Sequence, residues 1–62
     1  MNKVVIVSQS GDTLYVYEGV IPRVGEYICL KTGNRYQVIN VTYMPGLMEP
    51  CIVVSVQKVE WV

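Results

Sequence analysis

Short apolar runs rich in valine and isoleucine, some with one apolar face and some with two, recur along the chain, and such β-branched residues are typical of β-strands. Five such runs predict strands at residues 3–9, 13–18, 26–32, 35–43 and 51–59. No window of helical length shows apolar residues at the spacing of an amphipathic helix. The pattern therefore predicts an all-β fold, and 62 residues are enough for one core, hence a single domain over residues 1–62.

Turn residues separate the predicted strands. Ser10-Gly11-Asp12 and Gly33-Asn34 are tight-turn signals, because glycine and asparagine tolerate the positive φ that such turns need. The connection at residues 19–25 contains Pro22, which has no amide hydrogen and so excludes a central strand. A loop from Pro45 to Pro50 precedes the last strand. The chain is therefore expected to form two hairpins and two longer connections.

Alternation on the second and third strands separates an aliphatic face from a face that bears tyrosines. The aliphatic residues, which we expect in the core, are Leu14, Val16, Ile28 and Leu30. The aromatic residues of opposite parity, which we expect outside, are Tyr15, Tyr17 and Tyr27. If the two strands are neighbours in a meander, the three rings form one patch beside the loop at Pro22-Arg23.

The fourth strand contains an irregularity. Tyr36 and Val38 share a face, but the next apolar residues, Val41 and Tyr43, fall at an odd spacing from them. If one extra residue is inserted in the strand near Ile39-Asn40, the apolar residues on both sides of it fall on the same face. We therefore predict a β-bulge or a sharp bend at that point.

The last long strand is apolar on both faces. One face carries Ile52, Val54 and Val56 and is expected to fill the interior. The other carries Cys51 and Val53, and Trp61 follows near the C-terminus. Left uncovered, these residues would form an apolar patch on a neutral protein. Cys51, Val53 and Trp61 are therefore predicted to form a homo-oligomer interface.

Closing five short strands into a barrel removes exposed sheet edges. A long connection, a tight hairpin between the third and fourth strands and a bent fourth strand indicate a five-stranded antiparallel SH3-like small barrel. The alternative is a barrel like that of oligonucleotide/oligosaccharide-binding domains. That fold usually places a helix between strands three and four, where this chain has only Gly33-Asn34.

Composition limits the chemistry. Five basic and five acidic residues give no net charge, so a strong electrostatic grip on nucleic acid or an anionic membrane is not expected. The chain has no histidine, and Cys29 and Cys51 match no zinc-binding pattern, so neither an enzyme, a metal nor a cofactor is expected. The N-terminus lacks the features of a signal peptide. These features indicate a cytoplasmic protein with reduced thiols, a Cys29–Cys51 disulfide being the alternative for a secreted domain.

Residues 22–28 (Pro-Arg-Val-Gly-Glu-Tyr-Ile) and 36–41 (Tyr-Gln-Val-Ile-Asn-Val) form a pattern of their own. It resembles small SH3-like β-barrel proteins of bacteria and bacteriophages that carry Pro-x-x-Gly-[Asp/Glu]-x-Ile followed by Tyr-x-Val-x-x-Val. The resemblance covers residues 22–41 and implies a fold, with no site residues. Because some of those proteins are products of phage accessory genes, it also implies a phage or mobile-element accessory protein.

Three functional hypotheses remain. The first is a non-enzymatic, homo-oligomeric binding module that captures a host protein or a small ligand. Its candidate binding residues are Tyr15, Tyr17, Tyr27, Arg23 and Arg35. The second is a weak nucleic-acid-binding barrel, in which the rings stack on bases beside basic residues. The third is a purely structural assembly subunit, in which the tyrosines only shield the strands from solvent.

Overall fold

The computed structural model describes residues 2–31, 33–46 and 49–60. These residues form strands and contain no helix, as the sequence predicts. The strands are β1 (Lys3–Val7), β2 (Thr13–Glu18), β3 (Tyr27–Cys29), β4 (Arg35–Met44) and β5 (Cys51–Val59). The predicted first and third strands are too long, because their ends belong to the turns that follow. Gly11 and Gly33 lie in the predicted turns, with φ of 94° and 87°.

The five strands form one sheet in the order β2-β1-β5-β4-β3, which curls into a half-barrel. The prediction of a purely antiparallel barrel is wrong, because β1 and β5 pair in parallel. β1 and β2 form an antiparallel hairpin, whereas β3, β4 and β5 form an antiparallel meander. The pairing of β1 with β5 joins these two units and leaves β2 and β3 as the two edges of the sheet.

The predicted bulge in the fourth strand is confirmed. Val38 lies opposite Val56 and Asn40 opposite Ser55, so Ile39 is the extra residue. The bulge brings Val41 opposite the buried Val54 and so returns the second half of β4 to phase with the core. A bulge also bends its strand, which contributes to the curl of the sheet.

One face of the sheet, the inner face, carries the core. The buried residues of this face are Val4, Ile6, Val38, Ile52, Val54 and Val56. Leu14 and Ile28 are partly buried against this cluster, as predicted. The placement of Val16 in the core is wrong: its side chain is 45% exposed and lies opposite Val5 on the other face.

An irregularity in β2 explains the error. Ile6 lies opposite Tyr15 and Val7 opposite Thr13, so Leu14 is an extra residue in β2. Leu14 therefore packs against the core beside Tyr15, instead of alternating with it. In the rest of β2, Tyr15 and Tyr17 therefore lie on the inner face and Val16 lies on the outer face.

Candidate binding groove

The two edge strands face each other across an open seam. No Cα atom of β2 lies within 8 Å of a Cα atom of β3, so these two described strands do not pair. Side chains from both edges and from the connection between them line a depression of about 270 Å³. The residues that line this seam groove are Ile6, Tyr15, Tyr17, Pro22, Ile28, Cys29 and Leu30. The groove is mainly apolar.

β2 supplies the aromatic wall of the seam groove. Tyr15 and Tyr17 lie opposite Ile6 and Val4 on the inner face, with ring centroids 5.9 Å apart and planes tilted by 30°. Tyr17 is partly buried against the core, and its hydroxyl donates a hydrogen bond of 2.7 Å to the carbonyl of Val20. Desolvation by this burial raises the pKa of the Tyr17 hydroxyl above its ordinary value of 10.0. Tyr17 is thus held in place, whereas Tyr15 is 44% exposed.

The opposite wall is aliphatic and is positioned by backbone hydrogen bonds. Ile28 and Leu30 project from β3 and from the residue that follows it. Before β3, the Gly25 amide donates to the Val38 carbonyl (2.8 Å), and the Val38 amide donates to the Glu26 carbonyl (2.9 Å). These bonds fix the end of the long connection on β4, so the wall has a defined position.

The structure divides the predicted tyrosine patch. Tyr15 and Tyr17 line the seam groove, and the exposed Arg23 follows Pro22 at its rim. Tyr27 lies on the outer face of β3, where the Arg35 guanidinium carbon is 4.3 Å from its ring centroid. The assumption that the second and third strands are neighbours is wrong, since they are opposite edges of the sheet. The binding role of the five residues stays a prediction.

The outer face carries a row of valines in register. Val16 on β2 lies opposite Val5 on β1, and Val5 lies opposite Val53 on β5. Val5 and Val53 are half-buried, and Val16 is exposed. We call these three residues the outer valine row. Cys51 is on the same face, and Trp61 lies outside the described residues.

A second depression, of about 430 Å³, lies at the β1–β2 turn and was not predicted from the sequence. Ser8, Ser10 and Asp12 line it and bond to one another: the two Oγ atoms are 2.8 Å apart, and Ser10 Oγ donates to Asp12 Oδ2 at 3.1 Å. The Asp12 amide also donates to Ser8 Oγ. The spacing Ser-x-Ser-x-Asp was the available signal. These polar groups satisfy one another, so their evident role is to hold the turn.

Other kinds of site have little support in the described part of the chain. No three of its Cys, Asp and Glu residues cluster as metal ligands would, and Cys29 and Cys51 are free thiols. Within residues 2–31, 33–46 and 49–60, no helix is long and apolar enough to cross a bilayer. Comparisons with protein-family models, curated proteins and solved structures gave no match. The seam groove and the outer valine row therefore remain the candidate sites.

Proposed function

We propose that this protein is a non-enzymatic binding module that self-associates through its outer face and takes a partner in the seam groove. The outer valine row is the observation that carries the proposal. The row crosses three strands without a charged residue, and the domain has no second layer of structure among its described residues to cover it. Apolar patches of this kind mark interaction surfaces.

A second copy of the chain is the occupant that fits the outer face best. A 62-residue domain has a small core, and domains of this size commonly gain stability by association. The face is aliphatic and uncharged at its centre, so two copies meet there without like-charge repulsion. Cys51 and Val53, which the sequence placed in such an interface, both lie on this face.

The native mass tests this part of the proposal. Light scattering at micromolar concentration is expected to give a multiple of 7.0 kDa. Val16→Glu and Val53→Glu each bury a charge in the contact and should give the monomer mass. Val20→Glu is the matched control, because Val20 is 85% exposed in the connection after β2. A wild-type mass of one chain would refute self-association.

The resemblance of residues 22–41 to SH3-like barrel proteins of bacteria and phages supports the same proposal. The all-strand half-barrel agrees with a small barrel at the level of the fold. On this basis we propose an accessory protein of a phage or mobile element that captures a host protein or a small ligand. A purely structural assembly subunit would keep the outer contact and leave the seam groove empty.

A weak nucleic-acid-binding barrel is the second candidate, and one observation favours it. Arg35 stacks on Tyr27 on the outer face, and this arrangement offers both a flat ring and a cation to a single strand. Against it stand the absence of net charge and the small number of basic residues, which limit the phosphate contacts.

A further inference from the structure

We propose that the occupant of the seam groove is an extended peptide strand of a partner protein, which pairs with β2 on one side and β3 on the other and closes the barrel. The proposal rests on the proposed function only in taking this groove as the partner site. It adds the chemical class of the partner and the mode of binding.

The free edge of β2 presents backbone groups to the groove side. The Gly19 amide donates to the Asn2 carbonyl at 3.1 Å, so Asn2 and Gly19 form a hydrogen-bonded pair of the β1–β2 ladder. Because such pairs alternate in an antiparallel ladder, the N–H and C=O groups of Val16 and Glu18 point away from β1. No described strand lies on that side of β2.

The free edge of β3 also presents unpaired backbone groups to the groove side. The Val38 amide donates to the Glu26 carbonyl, and the Leu30 amide donates to the Asn34 carbonyl, so these pairs face β4. Because hydrogen-bonded and non-hydrogen-bonded pairs alternate along the ladder, the N–H and C=O groups of Tyr27 and Cys29 point away from β4. Within the described residues, no strand pairs with this edge either.

The edges of β2 and β3 are too far apart to pair with each other, and one groove lies between them. Hydrogen-bonded strands lie about 4.8 Å apart, so edges that flank a single intervening strand are separated by roughly twice that distance. The Cα atoms of β2 and β3 are everywhere more than 8 Å apart, too far for the two edges to pair directly. Yet side chains from both edges line one groove, so the seam is narrow enough to be spanned.

The residues that line the seam groove determine which side chains a bound peptide strand should carry. Alternate residues of an inserted strand face inward, where they meet Tyr15 and Tyr17 on one wall and Ile28 and Leu30 on the other. Apolar residues at every second position fit these walls. The lining residues themselves carry no charge, so an uncharged segment matches the groove.

Backbone pairing on two edges distinguishes a peptide from other ligands. Only a polypeptide offers N–H and C=O groups at the spacing of both edges, as in strand-addition complexes. A nucleic acid lacks this pattern, and a chain with no net charge gives its phosphates little attraction. A second copy of this chain inserting one of its own strands is the competing occupant, and the experiment separates it.

Amide hydrogen exchange, measured by NMR on the ¹⁵N-labelled full chain, tests the proposal. The probes are acetylated, amidated peptides of about seven residues, a common strand length, with Val, Ile or Leu at alternate positions and Thr, Ser or Gln between them. At about 1 mM probe, exchange at Val16, Glu18, Tyr27 and Cys29 should slow by about tenfold or more. The Tyr17 amide, on the β1 side of β2, is the internal reference: it should exchange slowly before any probe is added, whereas the four edge amides should not. The same peptides N-methylated at alternate amides, in either phase, should have no effect, because they keep their side chains but cannot donate to one of the two edges.

Three results would overturn the proposal. If no probe slows exchange at the four edge amides, the groove does not bind strands. If those amides are already protected in the free protein at every concentration, β2 and β3 pair with each other in solution. If they become protected only as protein concentration rises, a second copy fills the seam.

The outcome is independent of the contact proposed for the outer face. The measurement is repeated on Val53→Glu, which alters the outer face and no residue of the groove. Edge protection by the probes in a monomeric Val53→Glu variant supports the groove proposal alone. Self-association without edge protection supports only the outer contact.

Discussion

The Arg35 guanidinium lies over the ring of Tyr27, with its central carbon 4.3 Å from the ring centroid. The two residues are diagonal neighbours on adjacent strands, two residues apart in register: Tyr27 is opposite Gln37, and Arg35 is opposite Cys29. An exposed cation–π contact of this kind contributes about 0.5–1 kcal/mol. Both residues lie on the outer face of the sheet, so Tyr27 is separated from the two tyrosines of the seam groove.

If the protein binds single-stranded nucleic acid, this pair and Arg23 are where we expect it. Binding of a fluorescent thymidine oligonucleotide, followed by anisotropy, should be weak and should fall as salt is raised. The slope on a log–log plot is about −0.7 for each phosphate contacted, so Arg23→Ala or Arg35→Ala should each make it shallower by about that amount. Lys58→Ala, on a different strand and inner-face row, is the control. A tight complex that persists at high salt would favour the nucleic-acid hypothesis over the peptide one.

Tyr15 is the residue whose loss should affect binding more than folding. It is 44% exposed and lines the seam groove, so Tyr15→Ala should lower affinity for a strand-forming partner by more than about 1 kcal/mol. The melting temperature should change little, because the six core residues remain packed. Tyr17→Ala is the contrasting variant: Tyr17 packs against the core, so its loss should destabilise the fold by about 1–3 kcal/mol. If Tyr15→Ala lowers only the melting temperature, then its ring merely shields the strand.

The sequence was sufficient for the strands and for the bulge at Ile39, because alternation and its breaks are local properties of the chain. It was not sufficient for the pairing of β1 with β5, which joins residues about fifty positions apart and leaves no local signal. The inward placement of Tyr15 and Tyr17 was also missed. Aliphatic Leu14 and Val16 were the natural choice for the core, and the extra residue at Leu14 that changes the phase shows only in the β1–β2 register.

The seam groove depends on the same long-range features. Its two walls come from opposite edges of the sheet and meet only because the sheet curls. The tyrosines were identified as candidate binding residues from their chemistry, whereas Ile28 and Leu30 were predicted only as core residues. Ile28 does pack against the core, and both residues also line the groove. Outward-facing residues on β5 were easier to predict, since a strand apolar on both faces implies a second contact wherever it lies in the sheet.

Stability at high pH should depend on Tyr17. Burial raises the pKa of its hydroxyl in the folded protein above the unfolded value of 10.0. The folded state therefore favours the protonated form, and this contribution is complete below pH 10.0 and is lost as pH rises through the folded-state pKa. Ionisation also removes the proton that Tyr17 donates to the Val20 carbonyl.

Comparison of wild type with Tyr17→Phe isolates this effect from the other groups that titrate in the same range. The free energy of unfolding, measured by urea denaturation between pH 8 and pH 11, should fall more steeply above about pH 10 in wild type than in the variant. Tyr43→Phe is the matched control, because Tyr43 is 63% exposed. Equal slopes for wild type and Tyr17→Phe would show that the hydroxyl titrates alike in the folded and unfolded chains.

The bulge at Ile39 should be required for the curl that brings the two edges together. Deleting Ile39 leaves Val38 opposite Val56 and Asn40 opposite Ser55, so both halves of β4 keep their partners and their faces. What the deletion removes is the local bend, and a straighter β4 carries β3 away from β2. We expect the deletion to lower the free energy of unfolding by about 1–3 kcal/mol, as Ile28 loses contact with the core.

Ile39→Ala keeps the extra residue and removes a side chain that is 37% exposed, so it should have a much smaller effect. Strand-peptide binding should follow the same order, lost in the deletion and kept in Ile39→Ala. A deletion variant as stable as wild type, with unchanged peptide binding, would mean that the curl arises from the strand twist alone.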